Sequence, residues 1–351
     1  MSEIIMPAAC DDNTDISQAE TLLSVRNLAV HFRVSHGAWP WQKSTLHAVN
    51  GVSFDVRRGE TLGLVGESGC GKSTLARALI GLAPVATGSV SWRGEETVAG
   101  AGRKLGTLRR DVQMIFQDPL ASLDPRMSIG EIVAEPLRTH APHLGRAEVE
   151  RRVSTMLERV GLNAQHAARR AHEFSGGQCQ RVGIARALIG EPGLVICDEP
   201  VSALDVSIQA QIVNLLRDLQ RERSLSLLFV AHDLAVVKTI SHRVMVMYLG
   251  RVMEIGDCRA VYDGARHPYT RALLDAVPVP DPALARLRRG APLSGEIPSP
   301  LNPPSGCAFR TRCPYATDSC AARTPPLLRA DSGQPLAACW HPRESGAPPT
   351  D

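Results

Sequence analysis

The residues whose chemistry is clearest form one short loop at positions 66–74, with the sequence GESGCGKST. Its glycines allow the backbone to turn tightly and to point N–H groups at phosphate oxygens. Lys72 would bring a mobile positive charge to the β- and γ-phosphates of a nucleotide, and Ser73 would offer a hydroxyl to Mg²⁺. The sequence therefore predicts a phosphate-binding loop made of Gly66, Glu67, Ser68, Gly69, Cys70, Gly71, Lys72, Ser73 and Thr74.

The segments on either side of this loop have the pattern that such a site requires. Residues 61–65 are an apolar run that predicts a buried strand, and residues 74–80 predict a helix whose N-terminus faces the anion. The alternative is a glycine-rich turn that matches the pattern by chance. The chain has four lysines, and one of them stands at the single position where the pattern requires it, which favours the phosphate site.

Two carboxylates follow a second apolar run, in the sequence LVICDE of residues 194–199. A continuous apolar run predicts a strand that is covered on both faces, and ligands bind at the carboxyl ends of such strands. Asp198 is predicted to hold Mg²⁺, and Glu199 to polarise a water for attack on the γ-phosphate. Many strands end in acidic turns, so this motif alone is weak evidence for a site. The phosphate loop upstream in the same chain is what makes the interpretation strong.

A third candidate anion site lies at residues 174–178, FSGGQ, where a serine and two glycines precede a predicted helix. Ser175 can cap that helix, and the N–H groups and hydroxyl at a helix start can bind an anion. An ordinary capped helix with a flexible entry explains the same residues. On the physics of the residues alone, both interpretations stay open.

The remaining pattern predicts an α/β domain over residues 21–277 that positions these three stretches. A helical subdomain is predicted at about 118–175, because residues 146–162 carry apolar side chains on one face of a helix. A variable surface connection is expected at 93–107, a disordered lead at 1–20, and a proline-rich extension at 278–351. Further strands are predicted at 22–32 as an edge strand, and at 48–56, 88–92, 112–116, 226–231, 243–249 and 252–255.

Composition limits the class of protein. The chain has 351 residues, of which 44% are hydrophobic and 21% charged, as in folded soluble proteins. A net charge of +3 gives no case for a nucleic-acid partner. No apolar run approaches the roughly 20 residues that a membrane helix needs, and residues 1–20 lack the basic start of a secretory signal. We expect a cytosolic protein whose membrane contact goes through a partner.

The nine cysteines divide into two groups. Five are expected to be small buried residues of a reducing compartment: Cys10, Cys70, Cys179, Cys197 and Cys258. Four cluster near the C-terminus: Cys307, Cys313, Cys320 and Cys339. A disulfide is disfavoured there, which leaves unlinked thiols or a metal site that replaces a hydrophobic core. Zinc prefers closely paired cysteines, which this segment lacks, whereas four thiolates on loops also suit a [4Fe–4S] cluster.

In chain order, these motifs resemble the nucleotide-binding subunit of an ATP-binding cassette (ABC) transporter. The resemblance runs from about residue 22 to about residue 274 and includes Gln117, the stretch SALD at 202–205, and His232. It is closest to the ATPases of dipeptide and oligopeptide importers, particularly the dipeptide-permease type, through EPVSALDVS, HPYTRALL and SGEIPSPLNPPSGCAF. The implied fold is an α/β P-loop NTPase, an ABC cassette with a mixed β core, a helical subdomain and an irregular cysteine-containing extension.

The resemblance implies a role for each matched residue, with ATP as the nucleotide. Phe32 would stack on adenine, at a position where the family more often has tyrosine. Gln117 would contact Mg²⁺ and the attacking water and connect the nucleotide to the helical subdomain. His232 would contact the γ-phosphate and the water of Glu199. The implied catalytic residues are Glu199, His232 and Gln117. The implied Mg²⁺ ligands are Ser73, Gln117 and Asp198.

The resemblance also implies that two such subunits sandwich two ATP molecules head to tail. Closure would complete each site from both chains, and hydrolysis would remove the bridging γ-phosphate and let the dimer reopen. Cys179 stands where the family more often has Arg or Gln, but it lies past the phosphate-contacting residues. The residues that would meet the partner's nucleotide or the dimer seam are Ser175, Gly176, Gly177, Gln178 and Asp205.

The implied function is ATP hydrolysis that powers uptake of dipeptides or oligopeptides, at the cytoplasmic face of the inner membrane. The implied partners are a second ABC ATPase, forming a heterodimer, two transmembrane permease subunits and a periplasmic peptide-binding protein. Nickel or glutathione import, a soluble non-transport ABC ATPase and a non-catalytic nucleotide-sensing adaptor are the alternatives.

The cysteine-bearing tail also has counterparts in the peptide-importer ATPases, which favours the [4Fe–4S] cluster over zinc. The tail is far in sequence from every ATP-site motif. We therefore expect it to have a structural or docking role, and ATP binding to be largely independent of its cysteines.

Overall fold

The strand that precedes the phosphate loop, β3 (Thr61–Val65), lies at the centre of a large mixed sheet. The structure is a computed structural model and describes residues 18–35, 43–97, 103–202, 204–277, 295–328 and 334–342. Cys10, most of the predicted lead and the start and end of the predicted extension lie outside these ranges.

The large sheet runs in parallel from one edge through β3 and turns antiparallel only at the other edge. Every residue is buried in β3, in β8 (Ser226–Val230), which pairs with β3, and in β7 (Leu194–Asp198), which pairs with β8, as expected for strands covered on both faces. Over the described residues, the spatial order is β6 (Val112–Ile115), β7 (Leu194–Asp198), β8 (Ser226–Val230), β3, β9 (Arg243–Tyr248), β10 (Arg251–Asp257) and β11 (Leu336–Ala337).

A smaller antiparallel sheet packs against the first helix, and its order is β2 (Lys43–Arg57), β1 (Thr21–Ser35), β4 (Thr87–Trp92) and β5 (Glu95–Glu96). The prediction that β1 is an edge strand is wrong, since it pairs with β2 on one side and β4 on the other. Alternating polar and apolar residues report one buried face of a strand, not the number of its neighbours.

The helices found in the described ranges, leaving out two short 3₁₀ turns, are α1 (Lys72–Leu79), α2 (Arg103–Asp111), α3 (Ile129–His140), α4 (Arg146–Arg159), α5 (Gly176–Leu188), α6 (Val206–Arg223), α7 (Leu234–Ile240), α8 (Cys258–Gly264), α9 (Pro268–Asp275) and α10 (Asp318–Ala322). Helix α4 buries the predicted apolar face through Val149, Val153, Met156 and Leu157. Helix α2 begins inside the stretch predicted as a loop. The glycines and charged residues of that stretch indicate a loop, but its last residues belong to a helix in which Leu108 is buried.

The C-terminal extension is attached to the large sheet. Strand β11 pairs with the outer edge of β10, where Glu254 faces Ala337 and Ile255 faces Leu336. The N–H of Ala338 continues the contact by donating to the carbonyl of Met253 at 2.8 Å. Within residues 295–328 and 334–342, the extension is therefore mostly irregular, and it contributes a short strand that the sequence pattern does not reveal.

Candidate nucleotide-hydrolysis site

The phosphate loop leaves β3 and enters α1 through glycines that no other residue could replace without strain. Gly66 has a φ of 152°, and a Cβ atom there would lie 2.2 Å from the carbonyl oxygen of Met247. Gly71 has a φ of 103°, and its Cβ would lie 2.1 Å from the carbonyl oxygen of Ala48. The loop thus lies directly against the neighbouring backbone, which holds its N–H groups in a fixed concave arrangement.

Lys72 spans the interior of this loop. Its ammonium group donates hydrogen bonds to the carbonyl oxygens of Gly66 at 2.8 Å and Glu67 at 3.1 Å, and the residue is only 4% exposed. Cys70 Sγ lies 3.8 Å from the same nitrogen, and burial raises the pKa of the Cys70 thiol, so the thiol remains protonated beside the cation. A single compact cation inside the loop can neutralise phosphate charge.

Asp198, at the end of β7, meets the phosphate loop from the opposite side. Its Oδ1 accepts a 2.7 Å hydrogen bond from the Ser73 hydroxyl. Its Oδ2 is buried, has no hydrogen-bond partner among the described residues and lies 3.9 Å from Arg77 Nη2. Burial raises the pKa of this carboxyl group, because the charged form loses its water. An orphaned carboxylate oxygen beside a hydroxyl is a donor set that suits Mg²⁺.

Glu199 follows immediately and lies between the two other predicted catalytic residues. Its Oε2 accepts a hydrogen bond from Gln117 Nε2 at 3.0 Å, and His232 Nδ1 lies 3.5 Å away. Its backbone has a φ of 46°, in the left-handed region that non-glycine residues rarely adopt. Strained backbone is often found at functional sites. Here the turn after β7 directs the two carboxylates to different partners, Ser73 for Asp198 and Gln117 for Glu199.

One open cavity of about 960 Å³ is lined by Lys72, Ser73, Gln117, Glu199 and His232. Asp198 is fully buried and is connected to this cavity through its hydrogen bond from the Ser73 hydroxyl. Phe32 is half-buried in the cavity wall, as a stacking residue would be. Part of the lining was not predicted from the sequence. These residues lie in β2, next to Gln117, in the SALD stretch, in the turn after β9 and in the extension, at positions to which the sequence assigns no contact with the nucleotide. The unpredicted lining residues are Leu46, His47, Ala48, Asp118, Pro119, Ser202, Leu249, Gly250 and Pro300.

The residues predicted to act in a partner's site do not line this cavity. Ser175 caps α5, where its Oγ accepts from the Gln178 N–H at 3.3 Å and the Gln178 side chain accepts from the Ser175 N–H at 3.0 Å. Asp205 caps α6 by accepting from the Ile208 N–H, and this hydrogen bond lowers the pKa of its carboxyl group. The structure therefore shows Ser175, Gln178 and Asp205 in capping roles, and Gly176 and Gly177 as the first residues of α5.

The C-terminal extension touches the phosphate loop. Arg312 donates to both carboxylate oxygens of Glu67, at 2.7 and 3.1 Å, and Tyr269 Oη accepts from the Glu67 N–H at 3.0 Å. The tail is far from the ATP-site motifs in sequence but contacts one of them in space. The expectation that ATP binding is largely independent of the tail cysteines stays a prediction. No sequence signal identifies Arg312, and Tyr269 lies in the HPYT motif without an obvious role.

The four C-terminal cysteines line one small cavity together with His267, Phe309 and Trp340. They are free thiols, and burial raises the pKa of Cys339 to about 11. In the part of the chain that the structure describes, no three His, Cys, Asp or Glu residues are grouped so that they could hold a metal ion. The donors predicted for zinc or a [4Fe–4S] cluster are thus neighbours around a common space, without forming a ready site for one ion.

The fold and this site define a P-loop ATPase of the cassette type. The sequence profile of the ABC transporter family matches residues 49–202, and the profile of the oligopeptide/dipeptide transporter C-terminal region matches residues 253–320. The chain belongs to the ABC transporter ATPases, in the group that carries this C-terminal region.

Relatives at high identity support this assignment. The chain is 59% identical over 317 residues to the oligopeptide transport ATP-binding protein OppF of Salmonella typhimurium, covering 90% of this chain and 95% of that protein. It is 60% identical to OppF of Escherichia coli, over 88% and 93% of the two chains. Among solved structures, the ATP-binding cassette MJ0796, in a dimeric post-hydrolysis state with ADP and phosphate, is 27% identical with a TM-score of 0.60, over 68% of this chain and 99% of that one. No helix within the described ranges is long and apolar enough to cross a membrane.

Proposed function

We propose that this chain is the ATP-hydrolysing subunit of an importer for dipeptides or oligopeptides. One observation carries the proposal: Glu199 stands between Gln117 and His232 in the cavity that the phosphate loop lines. That arrangement belongs to a chain about 60% identical to proteins named for oligopeptide transport. ATP and Mg²⁺ are the nucleotide and the metal of the family.

Hydrolysis needs a water that is polarised in line with the γ-phosphate. Glu199 is the proposed base, because its carboxylate reaches the cavity and its Oε2 is oriented by the amide of Gln117. His232 Nδ1 lies 3.5 Å from the same carboxylate oxygen, and the His232 side chain is about half exposed and lines the cavity. His232 is therefore proposed to contact the γ-phosphate. Lys72 and the loop N–H groups bind the phosphates, and Phe32 stacks on the base.

Mg²⁺ would be held by Ser73, Asp198 and Gln117. The buried Oδ2 of Asp198 supports this assignment, because it has no hydrogen-bond partner among the described residues and its ion pair with Arg77 is long, at 3.9 Å, so a bound cation would compensate for its lost hydration. When bound, the metal neutralises charge on the phosphates.

The second ATP-binding surface is proposed to face a partner subunit. Ser175, Gly176, Gly177 and Gln178 lie at a helix start outside this chain's own cavity, and Asp205 lies at the next helix start. A helix N-terminus favours an anion, so the γ-phosphate of a partner's nucleotide suits this place. A second, different ABC ATPase is the proposed partner, in a head-to-tail heterodimer.

The transport assembly is proposed to include two transmembrane permease subunits and a periplasmic peptide-binding protein. The chain would then be a peripheral protein at the cytoplasmic face of the inner membrane. Gln117 joins the site to the helical region that contains α3 and α4, and this region is the proposed contact with a permease.

The four C-terminal cysteines are proposed to hold a [4Fe–4S] cluster. All four line the same cavity. Burial raises the pKa of Cys307, Cys313 and Cys339, so their free thiolates are unfavourable unless a metal neutralises them. Each cysteine of a cluster binds a different iron, so the sulfurs need not converge on one point. Zinc requires that convergence, which the described residues do not show.

Purification of the complex from membranes tests the function. We expect a second ATPase and two permease subunits to co-purify, and ATP hydrolysis in proteoliposomes to rise when a binding protein loaded with peptide is added. Peptides of two to five residues, glutathione and Ni²⁺ are compared in parallel. Stimulation by glutathione or Ni²⁺ alone would contradict the peptide assignment, and a chain that purifies without permease subunits would contradict the transport role.

A further inference from the structure

Glu67, the second residue of the phosphate loop, is held at three points. Its N–H donates to Tyr269 Oη at 3.0 Å, its carbonyl accepts from Lys72 at 3.1 Å, and its carboxylate accepts two hydrogen bonds from Arg312. Two of these three contacts come from beyond the nucleotide motifs. The position of Glu67, and through Lys72 the interior of the loop, therefore depends on α9 and on the C-terminal extension.

Arg312 is buried beside the phosphate loop. Its side chain is only 5% exposed, whereas that of Glu67 is 21% exposed. The guanidinium also lies 5.8 Å from the ring centre of Tyr248, and the hydrogen bonds to Glu67 hold its pKa above its ordinary value. A buried cation in a bidentate pair with one carboxylate is a specific contact, since a lysine could not reproduce its planar fork.

The segment that carries Arg312 is anchored nearby. Phe309 is 1% exposed, and its ring packs against Tyr248 at 5.4 Å, Tyr269 at 5.3 Å and His267 at 5.8 Å. Glu254 of β10 fixes the start of α9 by accepting from the His267 N–H at 3.1 Å. The extension, α9 and the phosphate loop thus meet in one packed unit.

We propose that Arg312 is a positioning residue for ATP binding, which holds the Glu67 end of the phosphate loop and neutralises the carboxylate next to the bound phosphates. Without Arg312, the Glu67 backbone would keep its contacts with Tyr269 and Lys72, but the Glu67 side chain would lose its two hydrogen bonds and leave an unpaired negative charge in the phosphate loop. The inference rests on the proposed phosphate site. It differs from a docking role of the extension, because a docking contact would change stability without changing the affinity of the folded protein for ATP.

The test compares full-length variants by calorimetric titration with MgATP, and by kcat and KM for hydrolysis in the assembled complex. Arg312→Met keeps the apolar stem and removes the charge. We expect its Kd for ATP to rise about tenfold, the loss of one charge-assisted contact, while kcat at saturating ATP changes less than about twofold. Arg310→Met is the matched control, because Arg310 lies in the same segment and donates to the carbonyl of Ser305 within the extension.

A double variant of Glu67 and Arg312 distinguishes the loss of this one contact from a general loss of structure. The double variant Glu67→Gln with Arg312→Met should bind ATP no more weakly than Arg312→Met alone, because both changes break one contact. Arg312→Lys should recover part of the affinity and serves if Arg312→Met does not fold, as judged by its melting temperature. An Arg312→Met affinity within twofold of the wild type, a loss equal to that of Arg310→Met, or additive losses in the double variant would overturn the proposal. Lys72→Ala tests the phosphate site itself and should abolish binding in every background.

Discussion

Replacing Glu199 by glutamine is the most direct test of the hydrolysis site. The substitution keeps the size of the side chain and removes its charge. In the structure the side chain is only 14% exposed and has two polar neighbours, the Gln117 amide at 3.0 Å and the His232 ring at 3.5 Å. An amide at position 199 can still accept from Gln117 through its oxygen, so the geometry of the cavity should be kept.

The size of the expected effect follows from the role of a base. General base catalysis contributes about 10²- to 10⁴-fold, so kcat should fall by at least about 10²-fold, or roughly 3 kcal/mol in the barrier. ATP affinity should stay within about threefold, because Lys72 and the loop N–H groups are untouched. A dimer that binds ATP and cannot hydrolyse it should accumulate in the closed form, which size-exclusion chromatography can detect.

Asp198→Asn provides the contrast for this experiment. Asp198 accepts from Ser73 and is proposed to hold the metal, so its amide variant should raise the Mg²⁺ concentration needed for ATP binding. Glu199→Gln should leave that concentration unchanged. A Glu199→Gln protein that hydrolyses ATP within about fivefold of the wild-type rate would refute the assignment of the base.

Three further predictions follow from contacts elsewhere in the chain. Gly176→Asp should impair hydrolysis of the nucleotide held by the partner subunit and spare ATP binding by this chain; a Cβ at Gly176 has its nearest contact at 3.8 Å, whereas at Gly177 it would lie 2.8 Å from Ile208. Weakened binding of this chain's own ATP would contradict the head-to-tail arrangement. Protein purified without oxygen should be brown with about four irons per chain, and Cys313→Ser should bleach it and make the tail protease-sensitive. Stoichiometric zinc would contradict the cluster, and colourless, metal-free protein with a protected tail would contradict both metals. Gly256→Ala should loosen the extension, because its Cβ would lie 2.7 Å from Pro335, and unchanged proteolysis of the tail would argue against that docking.

The cysteine variant also tests the expectation from sequence that ATP binding is largely independent of the tail cysteines. Arg312 adjoins Cys313 in the chain and reaches Glu67. A change that loosens the cysteine region should therefore weaken ATP binding in the same direction as Arg312→Met, rather than leave it unaffected.

Much of the fold and of the candidate site could be predicted from local sequence patterns. The strand, loop and helix around Lys72 could be predicted because apolar runs and glycines act over a few residues, and the carboxylates after β7 were placed by the rule that ligands lie at the ends of parallel strands. The edge position assigned to β1 failed because pairing partners come from distant segments. The φ of 46° at Glu199 could not be predicted, because the contacts of the folded site impose it.

The contact between Arg312 and Glu67 shows most clearly what local patterns omit. The two residues are 245 positions apart, and each is unremarkable in its own segment. Pro300 of the extension also lines the nucleotide cavity, so the extension meets the site at two places.

The energy of the Arg312 contact decides what kind of role it can have. A charge-assisted hydrogen bond contributes about 1.5–3 kcal/mol. Arg312 is buried, but water reaches the Glu67 side chain, which is 21% exposed, so the lower end of that range applies. A whole domain is stable by about 5–15 kcal/mol, so the loss of this contact alone should leave the protein folded. The same energy changes an equilibrium constant by about tenfold. The loss of a contact of this size is therefore large enough to produce the proposed change in ATP affinity and too small to unfold the protein, so an Arg312 variant can be tested for ATP binding in its folded state.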